Sequence, residues 1–184
     1  MRTPILLLFV LLAAGCGGDE GQSGQVAVPD AGPRAVRPYT AEALRRGCPV
    51  GRMILTRLTT ADVVYIRTEF LSSTSEGYRK RSQMFDDEME PLLDASERDG
   101  TWQGDADDVA YLPETITVSE ETLPTALGAL LCWHYVIVDD RGWREDVWYA
   151  KDLPGPPVRL ESHLPRGTRL RLVEIVENTM PDGR

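Results

Sequence analysis

The chain has 184 residues and a net charge of −9, because 29 acidic residues outnumber 20 basic ones. An acidic surface argues against nucleic acid or anionic headgroups as partners, since both are bound through basic patches. The run Tyr78–Arg81 comes nearest to such a patch, but the acidic run Asp86–Glu88 follows it closely. This arrangement indicates a solvated strand face rather than a nucleic-acid site.

The first fifteen residues have the pattern of a secretory signal. Arg2 precedes the apolar run Ile5–Leu12, which is shorter than the ~20 residues that a membrane-spanning helix needs. The small residues Ala13–Gly15 lead directly into Cys16, and this ending resembles the lipobox of bacterial lipoproteins. The resemblance implies cleavage before Cys16 and acylation of that residue. An ordinary signal peptide with a chance cysteine is the alternative.

The same resemblance implies a cellular location for the domain. Gly17 stands where an aspartate favours retention in the inner membrane, so we expect a lipid anchor in the outer membrane and a domain facing the periplasm. Residues 16–38 are rich in glycine and proline and have few large apolar side chains, which predicts a flexible tether. Residues 39–184 then form a single β-rich domain.

Two cysteines remain besides Cys16. A pair of thiols in an oxidising compartment tends to close, which predicts a disulfide between Cys48 and Cys132. The long loop that it closes would give roughly 4 to 5 kcal/mol in the chain-entropy model. Two separate buried thiols are the alternative, since a sequence does not show whether two Cβ atoms lie close together.

The domain is predicted to begin with a short helix over Tyr39–Gly47. Thr40 has the side chain of an N-cap, Tyr39 and Leu44 form a hydrophobic staple, and Gly47 lies at the end. Strands are then predicted over 53–58 and 63–71, the second from its alternating apolar residues, and a polar third strand over 78–85 is expected to pair back after a turn-rich break.

A second helix is predicted over residues 86–98. Phe85, Met89 and Leu92 recur at helical spacing, and acidic residues lie where a helix start favours them, although Pro91 suits only a first turn. Residues 99–108 are then predicted to be a loop.

The stretch Leu130–Glu177 has the period of strands and is broken three times by turn-forming residues. It predicts a meander of strands, preceded by a strand over residues 114–119. Apolar side chains occupy both faces of Leu130–Val138, so we expect this strand to be central in its sheet. The fold class is therefore mainly β: a curved antiparallel sheet, half-barrel or barrel-like, with one or two short helices.

Three runs, 114–118, 132–135 and 146–161, show a strand that ends on an aromatic pair, an acidic turn and a Pro-Gly bend. They resemble β-rich periplasmic lipoproteins, and such domains are similar to the half-barrel of carriers of the LolA and LolB families. The resemblance implies the fold and transfers no functional residue.

The sequence shows no G-x-S-x-G in a folded segment, no phosphate-binding glycine loop and no H-E-x-x-H. Cys132 and His134 share a strand face, but a disulfide or a buried thiol explains Cys132 with fewer assumptions than a nucleophile. The acidic run Asp105–Asp108 lacks the spacing of a calcium loop and indicates a solvated loop. We therefore predict no catalytic residues, no metal and no cofactor.

The leading hypothesis is a membrane-anchored binding domain that does not act as an enzyme. A single helix of about a dozen residues does not cover both sides of a sheet of roughly seven or eight strands, so one face is expected to curl over itself, dimerise or meet a ligand. The curled form would enclose a small apolar cleft. We expect Trp133, Tyr135 and Trp148 to line this cleft and to hold an acyl chain or another apolar group. There are two alternatives. The first is a component of an envelope assembly that binds a partner protein, and the second is an envelope hydrolase.

Overall fold

The structure is a computed structural model that describes residues 37–109 and 116–181. Nine strands and two short helices make up these residues. The predicted signal segment, Cys16, most of the tether and the first residues of the strand predicted over 114–119 lie outside them. The elements in chain order are α1 (Ala41–Gly47), β1 (Met53–Thr59), β2 (Val63–Ser73), β3 (Gly77–Phe85), β4 (Ser96–Thr101), α2 (Trp102–Asp108), β5 (Ile116–Thr125), β6 (Gly128–Val138), β7 (Arg144–Ala150), β8 (Arg159–His163) and β9 (Arg169–Thr179).

All nine strands belong to one sheet with the order β4-β3-β2-β1-β9-β8-β7-β6-β5. Every pair of neighbours is antiparallel, and the sheet is curved but not closed, because β4 and β5 form its two edges. The prediction of a curved antiparallel sheet with short helices is therefore confirmed. The strand β1 pairs with β9, so the first and last strands lie side by side in the middle of the sheet.

The expectation that Leu130–Val138 is the central strand is wrong. These residues belong to β6, which lies one strand from the edge, and β9 occupies the middle. Both faces of β6 are nevertheless covered. Tyr39 packs against Trp133 on one face, and Trp148 of β7 stacks on His134 on the other. Local covering of both faces therefore does not require a central position.

The helix predicted over residues 86–98 is absent, and a turn and the strand β4 take its place. The Asp86 carboxylate accepts hydrogen bonds from the backbone N–H groups of Glu88 and Glu90, which closes a tight turn. Met89 has a φ of +64°, and Pro91 bridges back to the end of β3. Phe85 is buried at the end of β3, but Met89 and the following leucines at 92 and 93 are 37–58% exposed, so no surface of the domain covers the other apolar side chains of the predicted helix.

The loop predicted over residues 99–108 is also wrong, because it contains the end of β4 and the helix α2. Thr101 caps this helix by accepting a hydrogen bond from the backbone N–H of Gly104. Trp102 and Ala106 lie four residues apart on its buried side. These are the two buried side chains of the helix, and its other residues are exposed or half-buried.

The helices lie on the same side of the sheet, which we call the inner face. α1 forms as predicted: Thr40 accepts a hydrogen bond from the N–H of Ala43, and Leu44 is buried. Tyr39, just before α1, packs edge-on against Trp133 and Tyr149, which pair across β6 and β7. The side chains on the opposite side form the outer face.

Candidate functional site

A cavity of about 320 Å³ lies between the two helices and strands β1 to β3, on the inner face. Both helices, three strands and the bend before β8 contribute to its wall. The apolar side chains of its lining are Leu44, Cys48, Ile54, Phe70, Trp102, Val109 and Pro156. Phe70 and Trp102 are stacked with ring centroids 6.2 Å apart, so this part of the wall is a packed aromatic surface.

Three charged side chains line the same cavity. The hydroxyl of Tyr78 donates to Asp105 at 2.7 Å, and burial together with this carboxylate raises the pKa of Tyr78. The Lys80 amine lies 3.4 Å from the same hydroxyl. Asp108 is the third charged group. One ammonium therefore faces two carboxylates, so the cavity has no excess of positive charge that would select an anion.

Arg52 joins three parts of the chain beside this cavity and is completely buried. Its Nη1 donates to the carbonyl oxygens of Gly47 and Pro154, each at 2.7 Å, and its Nε donates to Asn178 at 2.8 Å. No carboxylate within the described residues pairs with it, and its Nη2 has no hydrogen-bond partner there. Two carbonyl oxygens, one amide oxygen and the sulfur of Cys48 therefore surround this buried charge.

The outer face carries a second group of polar residues, which we call the histidine cluster: Glu121, His134, Arg144, Asp146, Trp148, Glu161 and His163. The Nε2 of His134 lies 2.8 Å from Asp146, and its Nδ1 lies 3.5 Å from Glu121. The Nε2 of His163 lies 3.6 Å from Asp146 and 3.5 Å from Glu161. Both histidines of the chain thus converge on one buried carboxylate.

The histidine cluster is arranged as an ion-pair network rather than as a catalytic dyad. Arg144 donates two hydrogen bonds of 2.7 Å to Asp146. Burial alone would raise the pKa of Asp146, but the hydrogen bonds from Arg144 and His134 outweigh it and hold the pKa below its ordinary value. Both nitrogens of His134 face carboxylates, and His134 and His163 line an open cavity on the outer face. No group of residues in the described part of the chain is arranged to hold a metal ion.

Replacing Asp146 by asparagine is expected to lower the free energy of unfolding by about 1–3 kcal/mol at neutral pH, because buried charged hydrogen bonds are lost. The pKa of Asp146 is lower in the folded protein than in the unfolded chain, where an aspartate has a pKa of ~3.9. Its contribution to stability is therefore present in full above the unfolded-state pKa and is lost as the pH falls through the folded-state pKa. Urea titrations between neutral and acidic pH should show the difference shrinking in acid. The exposed variant Asp140→Asn should differ little from the parent protein at either pH, and a constant difference for Asp146→Asn would contradict the expectation.

The three aromatic residues predicted to bind a ligand do not line one cleft. Trp133 pairs with Tyr149, and Tyr135 packs on the same inner face, where it is 2% exposed. Trp148 pairs with His134 and stacks on it at 4.4 Å on the outer face. The 320 Å³ cavity instead uses residues that the sequence analysis did not predict to bind a ligand. The N-cap Thr101 and the spacing of Trp102 and Ala106 were the available signals for α2, which forms part of its wall.

Both cysteines of the domain are buried free thiols in the structure. The Arg52 Nη1 lies 3.3 Å from the sulfur of Cys48, and the sulfur of Cys132 lies 3.5 Å from the carbonyl oxygen of Leu130. Burial raises the pKa of both thiols, which disfavours a nucleophilic thiolate. Their disulfide is not present here and stays a prediction.

No protein-family model matches the sequence, and no curated protein matches it significantly. Solved structures do share its fold. MucB in complex with MucA(peri) superposes with a TM-score of 0.52 at 10% identity, over 75% of this chain and 54% of that one. The Pseudomonas aeruginosa MucA/MucB complex gives a TM-score of 0.51 at 9% identity, with the same coverage.

An exported protein of Bacteroides fragilis with a YmcC-like fold gives a TM-score of 0.49 at 12% identity, over 71% of this chain and 96% of that one. The present chain spans about half the length of the MucB chains. No helix among residues 37–109 and 116–181 is long and apolar enough to cross a bilayer. At such low identity, the likeness to MucB establishes a common β-rich fold.

Proposed function

We propose that the chain is a binding domain of the cell envelope that takes an apolar group, such as an acyl chain, into the cavity between its helices and the inner face. The apolar lining of this cavity carries the proposal. Its volume of about 320 Å³ lies at the lower end of the ~300–1,000 Å³ that small-molecule sites occupy. The site therefore suits one chain or a small apolar group rather than a large ligand.

The charges at the cavity indicate which part of the ligand contributes to the free energy of binding. Lys80 is opposed by Asp105 and Asp108, so a carboxylate headgroup gains no net attraction from these three residues. Burial of apolar surface is then the driving force, at about 25 cal/mol per Å². We expect a fatty acid and its methyl ester to bind with similar affinity.

A fluorescent fatty acid titrated against the protein tests the proposal. Thr56 lies in the cavity wall on β1, and Thr56→Met places a longer side chain in the space that the ligand would occupy. Saturable binding by the parent protein and at least tenfold weaker binding by Thr56→Met are expected, the latter corresponding to about 1.4 kcal/mol.

Thr59→Met is the matched control, because Thr59 lies on the same strand but on the outer face. It should bind the probe as the parent protein does. Binding that is not saturable, or that Thr56→Met and Thr59→Met weaken equally, would rule out the cavity as the site.

One feature supports a location for this binding domain, and another supports a second candidate for what it binds. The small residues before Cys16 support acylation of that cysteine, which would tether the domain to the outer membrane on its periplasmic side. The shared fold with MucB, which has been solved in complex with MucA, supports a partner protein as the second candidate for what the domain binds. A partner protein would become the leading candidate if the fatty acid and its ester both fail to bind.

A further inference from the structure

Two hairpin turns lie side by side at one end of the sheet. The turn between β6 and β7 closes through the hydrogen bond from the N–H of Asp139 to the carbonyl of Trp143. The turn between β8 and β9 closes between Leu164 and Thr168. A Cβ atom on Gly142 of the first turn would lie 3.9 Å from the Cβ of Pro165 in the second. We call residues 138–144 and 164–170 the two-turn tip.

The two-turn tip is basic, although the chain as a whole is acidic. It contains four arginines and two aspartates, a formal net charge of +2, or +1 once Asp146, which pairs with Arg144, is counted, in a chain of net charge −9. Arg141, Arg166 and Arg169 are exposed, and none of them has an ion-pair partner among the residues that the structure describes. The fourth arginine is the one bound to Asp146 in the histidine cluster. Three guanidinium groups are therefore available to an anionic partner.

Large apolar side chains accompany these arginines. Trp143 is 40% exposed, Leu170 49% and Val138 50%. Trp143 is the tryptophan with the greatest exposure, since Trp102 and Trp148 are buried and Trp133 is half-buried. Exposed tryptophan and leucine beside arginine are typical of surfaces that rest at the boundary between lipid headgroups and acyl chains.

We propose that the two-turn tip docks on an anionic lipid surface. Arginine forks bind phosphate oxygens through two parallel hydrogen bonds, which suits Arg141, Arg166 and Arg169 to phospholipid headgroups. The exposed apolar side chains enter the interfacial layer beside them. A nucleic acid would use the same arginines but would leave Leu170 and Val138 in water, so the mixed surface favours lipid.

Hydrogen bonds within both turns fix the backbone that carries these side chains. Asp139 accepts hydrogen bonds from the N–H groups of Arg141 and Trp143, which fixes the first turn. In the second turn, Arg166 and Gly167 both have a φ of +83°, and the N–H of Gly167 donates to the carbonyl of Leu164. Docking therefore requires little ordering of the backbone, which lowers its entropic cost.

Quenching of tryptophan emission by vesicles with brominated acyl chains tests this proposal on the full chain. In mixed vesicles of phosphatidylglycerol and phosphatidylcholine, we expect quenching that is largely lost in Trp143→Phe and weakened by added salt. Neutralising Arg141, Arg166 and Arg169 together by glutamine should raise the lipid concentration for half-maximal quenching by about a hundredfold. Vesicles of phosphatidylcholine alone should quench much less.

A second triple variant controls for net charge. Arg46, Arg79 and Arg98 are exposed and lie away from the tip, and their replacement by glutamine changes the total charge by the same amount. This variant should be quenched like the parent protein. Quenching that survives in Trp143→Phe shows that another part of the chain meets the lipid and overturns the proposal. Equal weakening by both triple variants, or no quenching by anionic vesicles, overturns it as well.

Discussion

Replacing Arg52 by alanine is expected to lower the free energy of unfolding by about 3 kcal/mol. The substitution removes hydrogen bonds to Asn178 and to the carbonyl oxygens of Gly47 and Pro154. Charged hydrogen bonds contribute about 1.5–3 kcal/mol each, and a buried carbonyl left without a donor costs about 1–3 kcal/mol. The desolvation of the guanidinium, which has no carboxylate partner among the described residues, opposes these gains and keeps the expected loss below their sum.

Urea unfolding followed by tryptophan fluorescence measures this loss. Arg52→Lys keeps the charge but has no planar fork, so it should replace only part of the network and give an intermediate loss. Arg98→Ala, at an exposed position, should stay within about 0.5 kcal/mol of the parent protein. An Arg52→Ala variant as stable as Arg98→Ala would show that the buried network is energetically neutral.

Replacing Trp102 by alanine is expected to cost about 3–5 kcal/mol, the range for large aromatic side chains in a core. Trp102 is the first residue of α2 and packs against Phe70 and Tyr78, with ring centroids 6.2 and 4.5 Å away. Its indole N–H also donates to the carbonyl oxygen of Thr74 at 3.1 Å. The substitution therefore removes the main contact between α2 and the sheet and one wall of the cavity.

Thermal unfolding and fatty-acid titration together measure both consequences. Trp102→Phe keeps an aromatic ring but loses the hydrogen bond, so a loss of about 1–2 kcal/mol is expected. Trp143→Ala, at the exposed tip, should change the stability by less than about 1 kcal/mol. A melting temperature for Trp102→Ala close to that of Trp143→Ala would mean that α2 contributes little to the fold.

Local signals predicted some elements well and others poorly. The helix α1 was predictable because Thr40, Tyr39 and Leu44 act within a few residues of one another. The same kind of local spacing failed over residues 86–98, because no surface of the domain covers the apolar side chains there. The helix α2 has only two buried side chains, so it produces hardly any periodic pattern.

The candidate site was less predictable than the fold, because it depends on strand register and on contacts between distant residues. Alternation places Trp133 and Tyr135 on one face, as expected. The face of Trp148 depends on the register between β6 and β7, which the length of the connecting turn sets. The cavity combines residues from Leu44 to Pro156, and no local pattern indicates such a combination.

The pairing of β1 with β9 has a consequence for the order of folding. β1 ends at Thr59, but β9, its partner on one side, ends at Thr179. Until β9 arrives, the hairpins of the N-terminal half have an open edge that can pair with other chains. Contacts of such high sequence separation slow folding. We therefore expect the eleven-residue strand β9 to pair late and to complete the middle of the sheet. A chain shortened before β9 would lose the joint between the two halves of its sheet and would be prone to aggregate.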